Sequence, residues 1–181
     1  MSYVDASFYE DLVRTFARWP ETEIDDPALR EECRMLVHRE ARLLDQGRFE
    51  DWLGLYSAQC IYWIPATPGG DPRREVAIAF DDRRRLEDRI YRLRTGHAWS
   101  QVPASRTVRM VSNVEVLPLT QTQVMVRSNF LITDFRGGET RYWSGWCGQR
   151  LRRRPGGYEI EVRQVNLVDC DQNLRNPSIV L

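Results

Sequence analysis

At 181 residues, with 42% hydrophobic and 10% aromatic side chains, the chain is long enough to bury one core without disulfide or metal staples. Its 26 basic residues, all arginine, cancel 26 acidic ones, which excludes the basic excess that draws a protein to nucleic acid or an anionic membrane. Six tryptophans argue against disorder.

The first half of the chain has a helical period. An amphipathic segment at Phe8–Trp19 precedes the polar stretch 20–26. Asp26-Pro27 then supplies an N-cap with proline at the first helical position. Leu29, Cys33, Leu36, Val37 and Leu44 recur at helical spacing down to Gly47, and a short helix follows around Phe49–Tyr56. Cys60–Pro65 is aromatic and β-branched and reads as a strand; Glu75–Phe80 alternates as a second, short one. A helix begins at Asp82 with Asp81 or Asp82 as its cap, carries the apolar stripe Leu86, Ile90 and Leu93, and stops at Gly96. Arg83 and Arg84 stand four residues before Glu87 and Asp88, pairs worth only ~0.2–0.5 kcal/mol each.

The second half is a run of long strands. Val108, Met110, Val114 and Val116 alternate in the first, which predicts one apolar face, and Val124, Val126, Phe130 and Ile132 mark the second. Gly137-Gly138 and Pro155-Gly156-Gly157 are hairpin turns that set off 140–153 and 158–169. In 140–153, Tyr142 and Trp146 share one face and Trp143 and Cys147 the other. The order predicts an α+β domain, helices packed in the concave face of a strongly curved, mostly antiparallel sheet. It is a single domain over 1–181, with 1–25 a helical N-terminal extension and 170–181 a C-terminal tail. Such a cone permits either a small-molecule pocket at its mouth or a scaffold whose faces carry partners.

Candidate chemistry is sparse. The only histidines are His38 and His97, and Cys33, Cys60, Cys147 and Cys170 have no metal-ligand spacing. No C-x-H or C-x-x-H occurs, as a Rieske centre would require, and phosphate-binding glycine loops and nucleophile elbows are absent. The expectation is a chain without cofactor or metal. One enzymatic option remains: His38, Asp45, Tyr62 and His97 as an acid–base group of a lyase or isomerase, with His38 and Asp45 on one helix face. A binding protein for a small hydrophobic ligand is the third reading. No apolar run approaches the ~20 residues of a membrane span, and MSYVDASFYEDLVR lacks the features of a signal peptide. The expectation is a soluble, cytoplasmic protein.

Several blocks carry a family pattern: EARLLD at 40–45, FEDWLGLY at 49–56, YWIPAT at 62–67, DDRRRLEDRIYRLRTGHAWSQVPASRTVRMVSNV at 81–114, and the final SIVL. On these the chain resembles the small (β) subunit of bacterial aromatic-ring-hydroxylating, Rieske-type dioxygenases, with wording nearest the benzoate-like branch. The resemblance implies an NTF2-like, scytalone-dehydratase-like fold and a structural, non-catalytic role in an α3β3 assembly. It also implies that the large subunit holds the Rieske 2Fe-2S cluster and the mononuclear iron. His97, Trp99, Gln101, Arg106 and Arg109 are then the expected subunit-interface residues.

Overall fold

The computed structural model describes residues 4–97, 101–172 and 179–181. Among these residues four helices and six strands follow in the order α1 (Ala6–Ala17), α2 (Pro27–Asp45), α3 (Phe49–Leu53), β1 (Tyr56–Pro65), β2 (Ala77–Asp82), α4 (Arg83–Arg94), β3 (Arg106–Pro118), β4 (Gln123–Arg136), β5 (Glu139–Arg154) and β6 (Gly157–Leu167). The strands form one sheet in the order β2-β1-β6-β5-β4-β3. Every pairing is antiparallel except β1 with β6, where the first strand runs alongside the last.

Local signals decide the helix boundaries. Asp26 caps α2 by accepting from the backbone N–H of Ala28 and Leu29, at 3.0 Å each. Asp82 caps α4 through the N–H of Arg85 at 2.9 Å. Gly47 and Gly96 take positive φ just beyond α2 and α4, a conformation that favours glycine. Arginines of the 83–94 stretch are largely spent inside the chain. Arg83 pairs with Glu87 at 2.9 Å and donates to the carbonyls of Leu53 and Tyr56. Arg89 holds Asp81 at 2.6 Å.

The sheet carries a core on each face. On the inner face, Cys33, Val37 and Leu44 of α2 pack with Trp52, Tyr62, Leu86, Ile132, Leu151 and Val165. On the outer face, Leu12 and Phe16 of α1 cover Ile61, Trp63, Leu117, Met125 and Val162. The N-terminal extension is therefore a second layer on the outer side of the sheet. Gly148 makes room for it, because a Cβ there would stand 2.7 Å from the Trp19 ring.

α1 is also tied down electrostatically, through Arg150 to Asp11 at 2.6 Å. Burial works to raise the Asp11 carboxyl, but hydrogen bonds from Arg150 and Arg14 outweigh it and hold the group below its ordinary 3.8. A depressed folded value means that the stabilisation is complete above 3.8 and is lost as pH falls through the folded value. Solvent screening keeps the effect modest at this half-exposed site. Protection of the α1 amides, taken relative to their intrinsic exchange rates, should fall on acidification below that point, and less so in Asp11→Asn. Equal acid dependence in both proteins would dismiss the Asp11 anchor.

One expectation about the sheet is corrected. Val108, Met110, Val114 and Val116 do not share a face, because the β3–β4 register shifts between Ser112 and Glu115, where Asn113 has φ +50°. A β-bulge adds one residue and inverts the alternation beyond it. Val108 and Met110 consequently point outward, at 63% and 55% exposure, while Val116 is buried in the inner core.

Candidate functional site

The interior is held by a polar hub rather than by a reactive group. Glu40 of α2 is 2% exposed. Its carboxylate accepts from Trp52 Nε1 at 3.1 Å, Tyr56 OH at 3.0 Å, Gln149 Nε2 at 2.6 Å and Arg163 NH1 at 2.6 Å. Burial pulls the Arg163 guanidinium down, yet the charge of Glu40 and its neighbours outweighs this and holds it well above its ordinary value. Burial, helped by Glu40, pushes the Tyr56 phenol well up. Sequence reasoning missed this hub. Its signal was present, since residue 40 continues the stripe Cys33, Val37, Leu44 with an acid on an otherwise apolar line.

A second polar cluster closes the end of α2. Asp45 receives Arg109 NH1 at 2.6 Å, Thr107 Oγ1 at 3.0 Å and the Arg109 backbone N–H at 2.9 Å. Arg109 NH2 also donates to the carbonyl of Val180 at 2.5 Å. With a side chain only 5% exposed, Arg109 is committed inside the chain. This corrects its expected place on a contact face: odd-numbered residues in the first half of β3 point inward, because the bulge lies beyond them.

The acid–base quartet does not assemble. Asp45 faces β3, whereas His38 is exposed in a surface groove with Met35, Arg39, Arg42 and Tyr158. Seven helical residues share a face but stand about 10 Å apart along the axis, which here is enough to separate two sites. Tyr62 is fully buried; its hydroxyl donates to the Leu181 carbonyl at 3.1 Å and accepts from the Leu181 N–H at 3.0 Å. Burial raises its phenol as well. His97 is exposed, with Nδ1 2.7 Å from Thr95 Oγ1.

Of the other expected interface residues, Gln101 is half-buried and Arg106 is exposed, its guanidinium 4.7 Å from the centre of the Phe135 ring. Trp99 lies outside the described residues. Beside Arg106, the outer face of β3–β5 presents an apolar field that α1 leaves uncovered. Cross-strand partners lie on one face, so the register places Val108, Thr133 and Tyr142 in one row and Met110, Leu131 and Ser144 in the next. Tyr142 is 68% exposed.

A cavity of about 140 Å³ lies between the end of α2, α3, the end of α4, the 101–105 turn and the start of β3. Leu44, Phe49, Leu93, Ile179 and Val180 form its apolar wall, and Asp45, Gln101, Ser105, Thr107 and Arg109 supply polar atoms.

Metal and cluster chemistry finds no donor set. Among the described residues no three His, Cys, Asp or Glu side chains converge as metal ligands. The four cysteines are buried free thiols, and burial pushes Cys33 and Cys60 up to about 12, far from the thiolate a metal requires. A Rieske cluster or a mononuclear iron does not fit the described residues of this chain.

Comparison with known proteins identifies the lineage. Residues 39–172 match the family model described as "Ring hydroxylating beta subunit". The chain belongs to the ring-hydroxylating β-subunit family. The 2-halobenzoate 1,2-dioxygenase small subunit of Burkholderia cepacia is 33% identical over 137 residues, which cover 72% of this chain and 83% of that protein. A naphthalene 1,2-dioxygenase structure with indole in its active site superposes with a TM-score of 0.76 at 19% identity, over 98% of this chain and 95% of that one. An NTF2-like protein with a cystatin-like fold from Novosphingobium aromaticivorans superposes with a TM-score of 0.57 at 15% identity, over 99% of both chains. The α+β, NTF2-like cone expected of the β subunit is thus the observed fold, and the chain is a component of an oxidoreductase.

Proposed function

We propose that this β subunit is a structural, non-catalytic part of a terminal oxygenase. It would join a large subunit in an α3β3 assembly that dihydroxylates a benzoate-like aromatic in the cytoplasm. The Rieske 2Fe-2S cluster and mononuclear iron belong to the large subunit in this reading, and the β subunit supplies a rigid face. The observation that carries it is the uncovered apolar field of Val108, Met110 and Tyr142 beside Arg106. Contiguous exposed apolar surface of this kind marks an association site, and Met, Tyr and Arg are enriched at such interfaces. Arg106 borders that field, Arg109 supports it from within, and His97 and Gln101 are proposed to extend the contact. Trp99 remains part of the proposed contact. The 2-halobenzoate relative supports the substrate class.

The test is assembly. Met110→Arg with Tyr142→Asp, co-expressed with a large subunit, should weaken complex formation at least tenfold in sedimentation velocity, since central interface residues commonly contribute more than ~1 kcal/mol each. The isolated variant should keep its unfolding midpoint, because neither side chain is in the core. Full-size complexes at low concentration would reject this face as the contact.

A further inference from the structure

We propose that the cavity between α2, α4 and β3 is a binding site for a neutral, single-ring aromatic molecule bearing one hydroxyl or carbonyl oxygen. This goes beyond the assembly reading and holds whether or not that reading is right. Volume comes first. The roughly 140 Å³ available is close to the ~150 Å³ of an engineered apolar cavity that accepts benzene, so one ring fits and a fused pair does not. The wall of Leu44, Phe49, Leu93 and Ile179 offers the apolar and aromatic surface that such a ring needs.

Polar atoms decide what the ring carries. Ser105 Oγ is buried and has no hydrogen-bond partner among the described residues, and neither has Arg109 Nε. Both residues line this cavity; Arg109 also borders an inner void of only about 20 Å³ on its other side. Both atoms are shut off from solvent, so a ligand oxygen would answer the Ser105 hydroxyl once that side chain turns into the cavity.

Charge sets the last limit. The positive charge of Arg109 is already matched by Asp45 at 2.6 Å, so among the described residues the cavity has no spare cation. A carboxylate entering it would lose its hydration and meet the Asp45 carboxylate. The site therefore discriminates against the aromatic acids that the assembly is proposed to oxidise. It favours uncharged ring compounds such as phenols. The exposed Gly47 and Ala104 on its rim give access from solvent.

Titration of the full-length chain with phenol, benzene and benzoate at pH 7, followed by calorimetry and by amide NMR shifts, tests this without any large subunit. Phenol should bind one to one and shift the amides of Thr107 and Ile179. Benzoate should bind at least tenfold more weakly. Leu93→Trp, which fills the cavity, should abolish phenol binding. Ser105→Ala should weaken phenol about fivefold to tenfold, the size of one net hydrogen bond, and leave benzene unchanged. If Leu93→Trp does not fold, the Ser105→Ala contrast between phenol and benzene decides. No saturable phenol binding, binding indifferent to both variants, or benzoate bound as tightly as phenol would each overturn the proposal.

Discussion

Glu40→Leu should lower the unfolding free energy by about 3–5 kcal/mol, a large part of the roughly 5–15 kcal/mol that holds a domain together. The substitution removes a buried acceptor shared by Trp52, Tyr56, Gln149 and Arg163. It strands the Arg163 guanidinium, itself buried, in the interior. Most of the cost is that stranded charge, not the pair itself, because desolvation offsets much of what an ion pair contributes. The double variant Glu40→Leu with Arg163→Met should therefore regain a large share of the loss. Urea unfolding of the four proteins in the cycle measures this coupling. If the double variant is as unstable as the two single losses added together, the stranded-charge account is wrong.

How much of this was legible in the sequence follows the range of the signals. Asp26, Asp82, Gly47 and Gly96 act within a turn of their own position, and the helices begin and end where those residues predicted. The paired glycines at 137–138 and 156–157 likewise set the hairpins. The family wording at 81–114 led to the family and its cone. What stayed hidden depends on distant partners. The Glu40–Arg163 pair joins residues 123 positions apart, and nothing local to either names the other. The bulge at Asn113 has no glycine to advertise it, so the alternation of Val108 and Met110 with Val114 and Val116 read as unbroken. The side of the sheet that α1 covers depends on Gly148 accepting Trp19, a contact invisible until both are placed. The acid–base quartet failed for a related reason: helical periodicity gives direction but not distance, and His38 and Asp45 needed both.

The same long-range logic gives residues 179–181 a large share of the fold's stability. Ile179, Val180 and Leu181 belong to the inner core and are all buried. They do not trail from the domain as the reading of 170–181 as a tail implied. Tyr62 of β1 holds Leu181 through both its N–H and its carbonyl, and Arg109 holds the Val180 carbonyl. Full burial of such side chains is worth about 1.5–3 kcal/mol each, so the three together contribute roughly 5–9 kcal/mol as an upper estimate. That matches the whole stability of many domains. A chain ending at residue 178 should lose its cooperative urea transition at 25 °C, while Leu181→Ala alone should cost about 2–5 kcal/mol. Tyr62→Phe should cost about 1–3 kcal/mol, because it leaves the Leu181 N–H and carbonyl buried without their partner. The ordering matters more than any single value. If the truncated chain unfolds at the wild-type urea midpoint, residues 179–181 are not part of the core, and the wall of the 140 Å³ cavity that they help to form would have to be redrawn with them.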